Sequence, residues 1–268
     1  MASPPRIRVP MVRPSRATVA RAVADLRGDP SDDAELVDQA LFGESLTVLG
    51  ERSGWSYVQG EDGYLGWVRA EHLRGGAEDP DWVVAVHRAA LRRRSAPDGD
   101  VLDLLAPGTR CAAPTDNGWA PCGPGWVAAA DLAAPGDLPR RTPTAADLIA
   151  TAETFLGAPY LWGGVTIAGI DCSGLVQQVY RLNGVGLDRD ADQQALGGRP
   201  VSAARAGDLL FFGAERVTHV ALATGEREYI HAPMKGGAVE RSGPSAARKL
   251  LAVRRYLADT DVRTGAAG

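Results

Sequence analysis

The sequence predicts two small β-barrels followed by an α+β domain. Three observations carry that expectation: a Gly-Trp pattern that occurs twice in the first half, a break rich in Pro, Gly and charge at residues 133–143, and a helical apolar period followed by strand-like runs beyond it. The chain has 268 residues, enough for two or three small domains with cores of their own, and its 45% hydrophobic and 23% charged composition is that of an ordinary globular protein.

The repeat sets the first two units. GESLTVLGERSGWSYVQGEDGYLGWVRAEHL begins at Gly43, and GTRCAAPTDNGWAPCGPGWVAAADL begins at Gly108. Each runs from a short alternating segment through a turn to Gly-Trp, then to Gly-Trp-Val, and closes on a polar residue and leucine. Trp55 answers to Trp119, Trp67 to Trp126 and Leu73 to Leu132. Short strands and frequent turn residues argue for small barrels, and the doubled Gly-Trp pairs resemble bacterial SH3-like domains. The alignment sets Cys111 opposite Leu46 and Cys122 opposite Val58, so both read as small buried hydrophobes. The two strands are able to bring these cysteines together, but in a cytoplasmic protein they are expected to stay structural thiols rather than a disulfide.

Charge narrows the function classes. Asp and Glu number 33 against 29 Lys and Arg, so a phosphate-backbone partner is not indicated, and Arg92-Arg93-Arg94 reads as a solvated face. The opening MASPPRIRVPMVRPSR has no apolar core or small-residue cleavage pattern, and no apolar stretch approaches the roughly 18 residues of a span. The expectation is a soluble, cytoplasmic protein with neither nucleic-acid nor membrane partner.

In the third segment, Thr144 is placed to cap a helix through Leu148, Ile149, Ala152 and Phe155 that stops at Gly157. GAPYLWGG follows as a loop. A second helix starts near Cys172, with Leu175, Val176, Val179 and Leu182 on one face. Strand-like runs come at Asp208–Phe212, His219–Thr224 and Glu228–Ala232.

The thiol at that helix start is the chemical signal. In the first turn it meets unpaired N–H groups and the positive end of the helix dipole, which favour thiolate, the nucleophilic form. Asp171 and Ser173 set polar groups beside it. A cysteine nucleophile needs a base, and the base needs an orienting group. Of the four histidines, His219 and His231 lie on successive strand-like runs joined by TGERE, so a hairpin sets them side by side. His72, at a barrel strand end, and His87 read as structural. A zinc site from Cys172, His219 and His231 lacks short-range ligand pairs, and no phosphate-cradling loop or dinucleotide fingerprint occurs, so no metal or cofactor is expected.

PYLWGG, DCSGLVQ, AGDLLFF, THVALATG and YIHAP, in that order, resemble the NlpC-type family of papain-like cell-wall cysteine peptidases across residues 144–257. The fold implied is an α+β papain-like cysteine peptidase domain preceded by two small all-β SH3-like barrels. Its expected divisions are an extension at 1–17, barrels at 18–76 and 77–134, a linker at 135–143, the peptidase at 144–259 and a tail at 260–268. The resemblance implies hydrolysis of stem peptides from peptidoglycan between γ-D-glutamate and a diamino acid, and so release of L-Ala-γ-D-Glu in muropeptide recycling. It implies Cys172 as nucleophile, His219 as base, His231 as orienting residue and Tyr160 as oxyanion support. In LDRDADQQ, Ala191 stands where the family often has serine.

A peptidase free in the cytoplasm meets short peptides with a free L-Ala amine, and an ammonium calls for acceptors at the end of a cleft. Glu44 and Tyr64 of the first barrel are the candidates, with Asp190 of the peptidase domain; Asp171 and Ser173 complete the expected substrate contacts. The second barrel has Thr109 opposite Glu44 and no tyrosine in CGPGW, so the first barrel is expected to wall the cleft and the second to support it. The partner is thus a muropeptide and the enzyme a monomer, with lysine or diaminopimelate left open as the diamino acid. The alternatives are amidase or acyl-transfer chemistry on the same scaffold, or a peptide- or wall-binding protein whose enzyme domain is inactive.

Overall fold

The computed structural model describes residues 11–76, 80–86, 88–134, 143–243 and 248–258. Most of the expected linker, the tail, most of the N-terminal extension and His87 lie outside the described residues. In the first unit, strands β1 (Met11–Val19), β2 (Val23–Arg27), β3 (Leu36–Leu41), β4 (Ser45–Arg52), β5 (Trp55–Gln59), β6 (Leu65–Arg69) and β7 (Leu73–Gly75) form one sheet in the order β3-β2-β6-β5-β4-β1-β7. Alternation buries one face, with Leu26, Leu46, Val58 and Val68 in the core. This barrel begins at Met11 rather than at 18. β1 pairs with β4 from Met11↔Gly50 to Thr18↔Ser45 through an irregularity near Pro14, where proline and arginines hide the strand from a periodicity reading.

The second unit comprises β8 (Trp82–Val84), β9 (Ala89–Arg92), β10 (Val101–Leu105), β11 (Arg110–Cys111), β12 (Trp119–Cys122), β13 (Gly125–Ala128) and β14 (Leu132–Ala133), in sheets β10-β9-β13-β12 and β11-β8-β14. The repeat reaches the finishing turns: a 3-10 turn at Ala70–His72 leads to Leu73, and another at Ala129–Asp131 leads to Leu132. Cys111 and Cys122 are buried like Leu46 and Val58, as the alignment expects. They are not separate thiols, however. With Cα atoms 4.8 Å apart they form a disulfide, because β11 and β12 run side by side with both side chains in one core.

The third unit holds α1 (Ala145–Glu153), the ribbon β15 (Val165–Thr166) with β16 (Gly169–Ile170), α2 (Cys172–Arg181) and α3 (Ala191–Gln194). An antiparallel sheet follows, ordered β17-β22-β18-β19-β20-β21, from β17 (Arg199–Pro200), β18 (Leu209–Gly213), β19 (Val217–Ala223), β20 (Tyr229–His231), β21 (Glu240–Ser242) and β22 (Leu250–Arg255). Thr144 caps α1 as a capping box: its hydroxyl accepts from the Asp147 N–H at 3.2 Å and its own N–H donates to Asp147 at 2.9 Å. β22, which the sequence reading passes over, pairs with β18 at the centre of the sheet. None of the described helices is long and apolar enough to cross a membrane.

The barrels are locked to the peptidase unit. α2 is buried on nearly every side, Ser173, Gln177 and Gln178 included, because the first barrel covers the face that the sheet does not. Gln177 donates to Asp62 at 2.9 Å, Arg181 pairs with Glu44, and Leu41, Ala106 and Val165 join all three units in one small apolar cluster. The strongest tie is Arg189, 1% exposed. Its Nε donates to Asp38 of the first barrel at 2.6 Å, and its Nη atoms donate to Asp171 at 3.1 and 2.9 Å. One guanidinium cannot neutralise two buried carboxylates. Asp38 has the lesser share, and burial pushes it up to about 7.

Arg189→Met should therefore cost about 3–5 kcal/mol, the scale of a buried charge left unpaired. Arg189 holds the Asp38 carboxyl down, so without it that carboxyl rises above its value of about 7. The variant then loses more as pH climbs past 7, while near pH 5 Asp38 is protonated in both folds, so the loss should be largest near pH 8 and shrink towards pH 5. Urea denaturation at the two pH values measures this; a loss independent of pH contradicts it.

Candidate active site

Asp171 builds the local geometry around the thiol. As N-cap of α2 it accepts from the Gly174 N–H at 2.6 Å and from the Gly163 N–H at 2.8 Å, while Ser173 Oγ donates to it at 3.2 Å. Gly174 has to be glycine, since a Cβ there sits 2.4 Å from the Gly164 carbonyl. Cys172 is thus fixed at the first position of a buried helix, 8% exposed, as the free cysteine among the described residues.

The antiparallel pairing of Leu222 with Ile230 and Ala223 with Tyr229 sets His219 and His231 diagonally on one face, with the small Ala221 between them. His219 Nε2 lies 2.8 Å from His231 Nδ1. A third group, absent from the sequence reading, completes this pair: Arg248 Nη1 is 2.7 Å from His231 Nδ1 and 3.3 Å from His219 Nε2. A guanidinium only donates, so His231 Nδ1 is an acceptor and its proton sits on Nε2, within reach of Ser242 Oγ at 3.2 Å and Glu240 at 3.5 Å. His219 then donates from Nε2 to the same acceptor. Its Nδ1 is left bare as a base.

The electrostatics correct one expectation. Burial, followed by the Asp171 carboxylate, pushes the Cys172 thiol up to about 11, and backbone N–H groups of Val220 and Ser173 offset this only in part. Burial, with His231 and Arg248 adding to it, pulls His219 down to about 3; burial and then Arg248 pull His231 down to about 4. The resting pair is neutral thiol and neutral imidazole, not thiolate and imidazolium. The helix start favours thiolate, but desolvation of an 8% exposed sulfur beside a carboxylate outweighs it.

Two cavities meet at Cys172. One, of about 1140 Å³, holds Cys172, His219 and Arg248; the other, of about 430 Å³, holds Cys172, Ser173, Tyr64 and Asp190. Tyr160 lines both, and burial pushes its hydroxyl up to about 12. Tyr64 reaches across from the first barrel and donates to Asp190 at 3.1 Å, while burial raises the Asp190 carboxyl. Ala191 lines the smaller cavity with a methyl group.

Glu44 does not reach the cleft. Its carboxylate pairs with Arg181 and accepts from the Leu41 N–H at 3.1 Å, because the turn carrying it faces the far side of α2. The barrel carboxylate that lines both cavities is Glu35, which no motif marked. Asp171 and Ser173 border the smaller cavity, but their polar atoms are engaged with Arg189 and α2, so they hold the nucleophile's loop. Arg189 escaped the sequence reading as well, although it stands next to Asp190 in LDRD. Among the described residues, no three of His, Cys, Asp and Glu are grouped to hold a metal ion.

With these resting states, alkylation of Cys172 by iodoacetamide should be slow at pH 7 and rise about tenfold per pH unit towards about 11. Mass-spectrometric labelling rates measure it; a rate already maximal at pH 7 restores the thiolate.

Comparison with known proteins places this arrangement. Residues 157–255 match the NlpC/P60 family, and residues 26–73 match the bacterial dipeptidyl-peptidase Sh3 domain. A gamma-D-glutamyl-L-lysine dipeptidyl-peptidase from Bacillus subtilis is 30% identical, across 91% of this chain and 89% of its own. Dipeptidyl-peptidase 6 of Lysinibacillus sphaericus is 28% identical, across 83% and 89%. The crystal structure of an NlpC/P60 family protein from Bacillus cereus superposes with a TM-score of 0.80 at 25% identity, covering 91% of this chain and all of that one.

Proposed function

Because the chain belongs to the NlpC/P60 family and is a cysteine peptidase, we propose that it hydrolyses the γ-D-glutamyl–diamino acid bond of peptidoglycan stem peptides bearing a free N-terminal L-Ala, releasing L-Ala-γ-D-Glu during muropeptide recycling. The observation that carries the substrate reading is the Tyr64–Asp190 contact with Glu35 on the same wall: barrel and peptidase domain close one end of the cleft with acceptors suited to an ammonium. The names of the relatives agree with a dipeptide-releasing enzyme. A monomer suffices, since one chain supplies the whole cleft. The proposed setting is cytoplasmic; Cys111 and Cys122 are buried, 1% and 2% exposed, and limited access slows the attack of thiolates on a disulfide.

In this reaction the Cys172 thiol passes its proton to His219 Nδ1 as the sulfur attacks the γ-glutamyl carbonyl. The oxyanion is met by the Cys172 N–H at the start of α2 and by the Tyr160 hydroxyl. His219, now imidazolium, gives its proton to the leaving amine, and later draws a proton from the water that releases the acyl group. His231 holds the Nε2–H of His219 throughout and so fixes the tautomer.

Cys172→Ala should lower kcat/KM by at least ~10³ with the fold intact, and His219→Ala by roughly 10²–10⁴. His231→Ala, which removes orientation alone, should cost less, with His231→Asn recovering part of the loss. Equal losses at the two histidines contradict these roles.

N-acetylation of the tripeptide L-Ala-γ-D-Glu-Lys should cost about 1.5–3 kcal/mol of kcat/KM, the scale of a charge-assisted hydrogen bond. Glu35→Gln, Tyr64→Phe and Asp190→Asn should each raise KM for the free-amine peptide, whereas Glu44→Gln should lower stability and leave KM alone. Equal cleavage of acetylated and free peptides removes the amine pocket.

A further inference from the structure

The two cavities that meet at Cys172 differ in charge, and the chemistry says which half of the substrate each receives. They share Glu35, Tyr160, Trp162, Cys172 and Thr218, but His219 belongs to the larger one alone. The residue that protonates the leaving amine has to sit on the leaving-group side. The larger cavity is therefore the leaving-group side, and the cavity with Tyr64 and Asp190 receives the acyl half. Beyond the shared wall, every charged side chain of the larger cavity is a cation: Lys235, Arg248 and Lys249. Arg248 is turned onto the histidine pair. Lys235 and Lys249 are solvent-exposed at the cavity wall, and no carboxylate among the described residues pairs with either. Phe212, Pro233 and Met234 give the same side an apolar wall that suits a methylene chain.

From this we infer that Lys235 and Lys249 select a leaving amino acid whose side chain ends in a carboxylate, so that a dicarboxylic diamino acid of the diaminopimelate type is preferred to lysine. The α-carboxylate of any leaving residue meets one positive charge, and a second carboxylate at the end of a four-carbon chain meets another. In diaminopimelate that second carboxylate offsets the terminal ammonium, which in lysine stands alone and meets repulsion. The inference rests on the dipeptidase reading and goes beyond it by naming the leaving group.

The test is a charge series at one position. L-Ala-γ-D-Glu-X is prepared with X as lysine, norleucine and 2-aminopimelate, so that a side chain of nearly constant length ends in a cation, a methyl or an anion; the diaminopimelate peptide is measured beside them. All carry the same α-carboxylate, so ratios of kcat/KM isolate the side-chain end. Wild-type enzyme at low salt should prefer 2-aminopimelate to norleucine and norleucine to lysine. Each step should be about two- to fivefold per lysine engaged, the range of an exposed ion pair, and should shrink in 0.5 M salt, a concentration that shortens the Debye length to roughly 4 Å. The diaminopimelate peptide should also exceed the lysine peptide. Lys235→Gln with Lys249→Gln should bring the ratios towards one, and the norleucine peptide, still hydrolysed, reports that the double variant is folded. Equal rates across the wild-type series, a preference for lysine, or ratios unchanged in the double variant overturn the leaving-group assignment alone. Hydrolysis of none of the four overturns the dipeptidase reading and this assignment with it.

Discussion

The structure depends on a single buried cation. Arg189 holds Asp171, the residue that caps α2 and fixes Cys172, and the same guanidinium holds Asp38 of the first barrel. Removing either carboxylate from water is costly, and the attraction to Arg189 offsets that cost only while all three groups stay in contact. Attachment of the barrel and placement of the nucleophile are therefore one physical event. At Gly163 a Cβ would sit 2.5 Å from the Leu36 carbonyl oxygen, so only glycine lets the same two units press together.

Burial of that loop also sets the chemistry of the thiol. A cysteine at a helix start in contact with water is driven towards thiolate by the helix dipole, but this one lies buried at the cap of α2 beside the Asp171 side chain. Neutral thiol and neutral imidazole then form the resting pair, and charge separation waits until a carbonyl is present to receive the attack. Arg248 works in the same direction, since a fixed cation against the histidine pair disfavours a protonated His219 at rest.

The two barrels share a Gly-Trp pattern and divide their work. The first supplies Glu35, Tyr64 and Asp38 to the cleft and its frame. The second takes Phe42 of the first into its own core and pairs Arg110 with Glu61 at 2.5 Å, so it braces the first barrel from behind.

The local signals were legible in the sequence because they are local. The Thr144 cap, the start of α2 at Cys172, the strands carrying His219 and His231 and the doubled Gly-Trp units depend on spacing within a dozen residues, and side-chain period reports that faithfully. Tyr64 and Asp190 were legible as candidate acceptors for an ammonium, since the second barrel lacks the tyrosine; their contact with each other was not. What the sequence left open turns on residues far apart in the chain. Glu44 and Glu35 are both carboxylates on the first barrel, and only the docking of that barrel sends one to Arg181 and the other to the cleft. Arg189 and Arg248 have no local signature, since a guanidinium reads the same whether it is solvated or buried between two carboxylates. The Cys111–Cys122 bond, by contrast, spans only 11 residues, and it is the expected compartment, not the spacing, that argues against it in the sequence. The thiol's protonation likewise turns on desolvation, a property of the packed tertiary structure that no short stretch of sequence encodes.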